Sequence, residues 1–269
     1  MRKNHIILLT IFLISVICLA ETEPTKIKKT CQKACCAGSK EKPQPTQVAQ
    51  ILAKLRKGTD NLTSYQADIE YTIIQDPELL DSRTLRKGTL YYIREKGGSK
   101  LRINFRTVKY DDDAEQNDRQ DFLFDGVWLT KVDYKLKTAD LIQQQKADNP
   151  IDAFEYIGEN FPLVGFSRTE QLEKDFEITL PQPITADPNS LIHLDMKVKK
   201  DSHYKDQYRH INFGIDKKTF LPAEMVTTST DDNKYDIRLL NPKINKKIKN
   251  LVFKLETPAH FDKIRTPLK

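Results

Sequence analysis

The chain is poor in the residues that build catalytic and metal centres. Its 269 residues include four cysteines and five histidines. Cys18 lies in the apolar leader, which leaves Cys31, Cys35 and Cys36. Three thiols with no histidine nearby cannot complete a four-ligand zinc site. In an oxidising compartment they are expected to give one local disulfide with a thiol to spare, or an intermolecular bridge. His-Glu-x-x-His, Gly-x-Ser-x-Gly and phosphate-cradling glycine loops are missing. Asp111, Asp112 and Asp113, with Glu115 and Asp118, lack the spacing and central glycine of a calcium loop. His193 and Asp195 share one face of a strand, but it is the face opposite Ile192, Leu194 and Met196, hence the wet one. These absences exclude the familiar catalytic centres, and the expectation is a protein that is not an enzyme and uses no cofactor or metal.

Charge of one sign is also lacking. The 44 basic and 38 acidic residues are interspersed, and only Lys243, Lys246, Lys247 and Lys249 cluster. Without interleaved aromatics that run is a solvated loop, and a nucleic-acid partner is not expected. No apolar run reaches the roughly 20 residues of a membrane-spanning helix. The stretch Ile6 to Leu19 is shorter, follows Arg2 and Lys3, and ends at Ala20, as a secretory signal peptide does. Residues 1–20 are therefore expected as a leader and the mature chain as exported. Cys18 leaves a second route, a lipid-anchored form, although bulky Ile17 argues against it.

What the chain does have is alternation. Residues 21–45, rich in Lys, Thr and Pro, carry no apolar period and are expected as a cysteine-containing, disordered tether. Val48, Ile51, Leu52 and Leu55 then recur at helical spacing, with Thr46 as the expected N-cap and Gly58 as the stop. Beyond this helix the pattern is nearly all strand. Tyr65, Ala67, Ile69, Tyr71 and Ile73 alternate with polar residues, as do Leu101, Ile103 and Phe105. Asp125-Gly126 predicts a hairpin turn. Further strands are expected at 192–198, 211–215, 225–229, 235–239 and 251–255, and about ten short strands suggest a barrel or a strongly curved sheet. Asn149-Pro150 predicts a helix start with Pro150 at the first helical position. Ile151, Phe154, Tyr156 and Ile157 make that helix too apolar to lie in water, and Gly158 is expected to end it. It needs the hollow of the sheet.

Several strings, in this order, resemble the LolA-type outer-membrane lipoprotein carriers: Ser64-Tyr-Gln-Ala-Asp-Ile, Gly88-Thr-Leu-Tyr-Tyr-Ile-Arg94, Leu123-Phe-Asp-Gly-Val-Trp-Leu129, Asn149-Pro-Ile-Asp-Ala-Phe154 and Ile211-Asn-Phe-Gly-Ile-Asp216. The resemblance runs from Thr46 to Pro258, leaving 259–269 as a tail. It implies a mainly β (α+β) fold: an incomplete, strongly curved antiparallel β-barrel lidded by helices, with an apolar cavity for acyl chains. It implies a periplasmic carrier that takes lipoprotein or lipid acyl chains from an inner-membrane releasing complex toward an outer-membrane acceptor. By the same resemblance Arg94 is the latch that holds the lid closed. Phe154 and Ile157 belong to the lid, and Tyr92, Phe105, Phe124, Trp128 and Phe213 join them as cavity residues. The cysteine tether and the long acidic insertion near Asp111 depart from the family pattern. They keep a second expectation open, a tethered envelope sensor of the same fold.

Overall fold

The computed structural model describes residues 46–181 and 191–268. The chain divides into Met1–Pro43 and Gln44–Lys269, and everything below concerns the second unit. The expected leader, the tether, Cys18, Cys31, Cys35 and Cys36 lie outside the described residues.

Helix α1 (Gln47–Asp60) starts where the sequence suggests: Thr46 Oγ1 accepts the Ala49 amide at 3.2 Å. It buries Ile51, Leu52 and Leu55 and runs past Gly58 to an Asn61 cap. The strands follow as β1 (Ser64–Gln75), β2 (Ser82–Glu95), β3 (Gly98–Tyr110), β4 (Gln116–Phe124), β5 (Trp128–Asp133) and β6 (Thr138–Gln143). Helix α2 (Ala153–Asn160) and the single turn α3 (Leu172–Asp175) interrupt them. The second half comprises β7 (Phe176–Thr179), β8 (Leu191–Val198), β9 (Tyr208–Asp216), β10 (Pro222–Ser229), β11 (Lys234–Ile244) and β12 (Asp262–Thr266).

Among the described residues the twelve strands form one sheet, in the order β12-β6-β5-β4-β3-β2-β1-β11-β10-β9-β8-β7. Every pairing is antiparallel except β12 on β6. The pairing that joins the two halves, β1 on β11, brings Tyr71 opposite Ile237. One continuous core takes residues from α1, from α2 and from the same face of strands β1 to β5 and β8 to β11. A single sheet whose face converges on two helices must curve around them, and β12 and β7 are its two edges. The mainly β, strongly curved and open architecture expected from the sequence is the one present.

Four local expectations are corrected. Helix α2 begins at Ala153 with Asp152 as its N-cap, not at Pro150. Pro150 and Ile151 instead form an extended approach in which the Ile151 amide bonds the Gly126 carbonyl at 3.1 Å. Gly126 itself, at φ 98°, makes the β4–β5 turn, with Asp125 Oδ1 accepting the amides of Val127 and Trp128. Gly158 lies within α2, which continues to Asn160. The alternating Leu251-Phe253-Leu255 is not a strand, because Asn250–Phe253 is a 3-10 turn. After Pro258 the expected tail contributes β12 to the sheet edge.

Candidate functional site

The concave face of the sheet is the candidate site, and α2 with the segment after it lies in it. Phe154 of α2 stacks on Phe166 with ring centroids 4.3 Å apart, and Phe166 meets the edge of Tyr65 at 5.2 Å. Tyr92 lies 4.2 Å from Phe154, and Phe124 stacks on Tyr156 at 4.0 Å. Phe161 reaches Tyr71 at 4.5 Å. This aromatic plug fills the middle of the hollow. Gly165, at φ 86°, lets the chain pass over the Phe213 ring, since a Cβ there would sit 2.5 Å from Phe213 Cζ.

Of the expected cavity residues, Tyr92, Phe124, Phe154 and Phe213 are therefore packed within the plug and its walls, with no measurable exposure. Phe105 and Ile157 line an opening on one side of the hollow. It is a cleft of about 190 Å³ between β3, β4, β5 and α2, bounded also by Ile103, Phe122, Leu129, Tyr156 and Phe161. Lys131 stands at its mouth. Trp128 is elsewhere. Leu129 faces inward opposite Phe124, so strand alternation turns Trp128 to the convex face. There the Arg265 guanidinium lies 4.5 Å above its ring.

The plug is fastened at the N-terminus of α2 by polar groups. Asp152 Oδ1 accepts the Phe154 amide at 2.9 Å, while Oδ2 accepts the hydroxyls of Tyr92 and Ser99, each at 2.8 Å. Ser99 Oγ in turn accepts the Ala153 amide at 2.7 Å. Arg94 reaches this cluster from β2. Its Nε donates to the Tyr92 hydroxyl at 3.0 Å and lies 3.9 Å from Asp152 Oδ2, and Nη1 donates to the Asp60 carbonyl at 3.4 Å. Arg94 thus touches the last turn of α1 and the anchor of α2. Burial first, then the Asp152 charge, pushes the Tyr92 phenol well above its ordinary pKa. Its hydroxyl stays a donor to Asp152 at every physiological pH. In the same first turn of α2 Glu155 pairs with Arg168.

Asp152 and Ser99 were not singled out from the sequence, although Asp152-Ala-Phe-Glu155 carries the spacing of a capping box. On the wet face of β8, Asp195 pairs with His210 of β9. Among the described residues, no three His, Cys, Asp or Glu gather as a metal site, and no helix is long and apolar enough to cross a membrane.

No protein-family model matches the chain, and no curated protein matches it. Solved structures do. The chain is similar to an uncharacterised conserved protein from Thermus thermophilus at 10% identity and TM-score 0.47, covering 82% of this chain and 99% of that one. It is similar to the Pseudomonas aeruginosa MucA/MucB complex structure at 13% identity and TM-score 0.42, covering 77% of this chain and 60% of that one. The chain thus spans under two thirds of that relative. A LolA superfamily protein from Nitrosomonas europaea matches at 10% identity and TM-score 0.32, covering 77% and 96%. A LolA superfamily protein, the family that the sequence strings resemble, is thus among the solved structures matched.

Proposed function

We propose that this chain is an exported carrier of acyl chains, from lipoproteins or free lipids, and that α2 with residues 161–166 is the lid that an acyl chain displaces. The observation that carries the reading is the way the hollow is filled. A sheet face made of Tyr65, Tyr71, Tyr92, Ile103, Phe105 and Phe124 is covered by a short helix whose attachment at the rim is polar. Apolar surface on the plug and apolar surface on an acyl chain are interchangeable partners for that face, so exchanging them costs little in burial. The open cleft of about 190 Å³ is smaller than the roughly 300–1,000 Å³ of ordinary ligand sites. It is the place where a chain end enters before the lid moves. Arg94, bonded to both the α1 terminus and the α2 anchor, is proposed as the latch.

The test is uptake of a fluorescent diacylated peptide by the purified chain. Leu129→Trp fills the cleft and is expected to weaken uptake about tenfold or more, while Trp128→Ala, on the convex face, leaves it unchanged. Arg94→Leu is expected to take up cargo readily but hand it on poorly to acceptor vesicles. No uptake by the wild-type chain, or equal uptake by Leu129→Trp, sinks the carrier reading.

A further inference from the structure

The convex face, opposite the hollow, carries a second site. Arg102, Asn104 and Arg106 point outward from β3, since Leu101, Ile103 and Phe105 face the core. Asp121 on β4 pairs with Asn104 across the ladder and is completely buried. Around it Arg102 donates from Nε at 2.8 Å and Nη2 at 2.7 Å, Asn104 Nδ2 donates at 2.6 Å, and Arg119 Nη2 donates at 3.1 Å. Arg102 Nη1 also holds the Val252 carbonyl at 2.7 Å, which fixes the 3-10 turn as one wall. Arg119 is further oriented by the Tyr134 ring, 3.9 Å beneath its guanidinium carbon. Arg106 uses only its Nε, donating to Asn104 Oδ1 at 3.1 Å. Its terminal nitrogens have no protein partner among the described residues.

A pocket of about 360 Å³ opens above these groups, lined by Tyr91, Arg102, Asn104, Arg106, Arg119 and Val252. At roughly 30 Å³ per water it would hold about a dozen. Three guanidinium groups share it with one carboxylate, so two positive charges stay uncompensated. A buried carboxylate that orients two arginines, with a third aimed alongside, is a pre-organised set of planar donors, the geometry that suits phosphate oxygens. A phosphate monoester carries about 1.5 to 2 negative charges at neutral pH, which matches the surplus better than one carboxylate does.

We propose that this pocket binds a phosphate monoester, held by Arg106 and Arg119 with the remaining donors of Arg102, its attached group lying against Tyr91 and Val252. The site is independent of the acyl-carrier reading and lies on the other face of the sheet. The phosphate belongs either to a small soluble molecule or to a lipid headgroup, and the experiment separates the two. Calorimetric titration of the full chain with inorganic phosphate and with glycerol phosphate tests the first. Co-sedimentation with phosphatidylcholine vesicles, with and without phosphatidic acid, tests the second. Arg106→Gln and Arg119→Gln are each expected to weaken binding about tenfold, one charge-assisted hydrogen bond's worth, and added salt weakens it further. Both side chains lie on the convex face, away from the cleft, so both variants are expected to keep wild-type diacylated-peptide uptake. Exposed Arg106 can be replaced without a change in melting temperature, whereas Arg119→Gln gives up a donor to buried Asp121 and is expected to melt lower. Binding only to phosphatidic acid vesicles, weakened in both variants, assigns a lipid headgroup; binding to the soluble phosphates, weakened in both, assigns a soluble ester. No binding in either arm, or binding untouched by both substitutions, overturns the proposal.

Discussion

Removing the carboxylate of Asp152 should loosen the lid without unfolding the sheet. Asp152→Ala deletes the N-cap of α2, a loss of about 1 kcal/mol, and the acceptor shared by the Tyr92 and Ser99 hydroxyls. A hydrogen bond to a charged group contributes about 1.5–3 kcal/mol. The Asp152 side chain is 25% exposed, so water can replace part of what is lost and the lower end applies. The Tyr92 hydroxyl also keeps its bond from Arg94, which tempers the cost further. The net is about 3 kcal/mol, roughly a hundredfold in the opening equilibrium of α2. Amide hydrogen exchange followed by peptide is the assay, because it separates local opening from global unfolding. Exchange should accelerate about a hundredfold across residues 153–166 and change only slightly in β1, β2 and β3. Asp152→Asn, which keeps a competent cap, should fall between the two. If exchange rises equally in the lid and the sheet, the lid is not a separable unit. If it does not rise at all, the polar cluster does not fasten the lid. Either result refutes the reasoning.

Two further outcomes follow from the same core. Gly165→Ala places a methyl group 2.5 Å from Phe213 Cζ at a backbone φ of 86°; it should cost about 1–3 kcal/mol, read as a lowered denaturation midpoint, and a midpoint equal to wild type would show that the segment over Phe213 repacks freely. Burial, and then Tyr235, raises the Tyr208 phenol to about 12. Because the folded pKa exceeds the ordinary 10, the fold favours the neutral phenol, and this stabilisation is complete below pH 10 and lost as the pH rises through about 12. Wild type should therefore lose melting temperature more steeply than Tyr208→Phe between pH 10 and 12, and parallel curves would count against the linkage.

The sheet was legible because its rules are local. The parity of Leu101, Ile103 and Phe105 names the buried face of β3 without reference to any other strand, and Asp125-Gly126 states its own turn. The errors arise where a local signal competes with a distant partner. Pro150 is a good first helical residue, yet the Ile151 amide is claimed by the Gly126 carbonyl, so the helix waits for Asp152. Leu251, Phe253 and Leu255 alternate as a strand would, but the segment lies over the convex face, where Arg102 holds the Val252 carbonyl and no ladder is offered. Trp128 enters the expected cavity set through the family resemblance, which takes no account of its strand parity. Parity against Leu129 would have turned it outward.

The same parity explains why the two faces of β3 were unequally readable. Inward residues announce themselves by being apolar, and any apolar lid or ligand will satisfy them. The outward residues Lys100, Arg102, Asn104 and Arg106 read as a wet face because all four are charged or polar, and composition assigns charge to water. Their meaning depends on Asp121, which lies on the neighbouring strand and is completely buried beneath them. A buried carboxylate without partners would be expensive, and one with a single arginine would be neutralised. With two arginines directly on it and a third beside it, the charge is overcompensated. The excess rests on Arg106, whose terminal nitrogens meet no protein acceptor among the described residues, and these are the donors the proposed anion site would use.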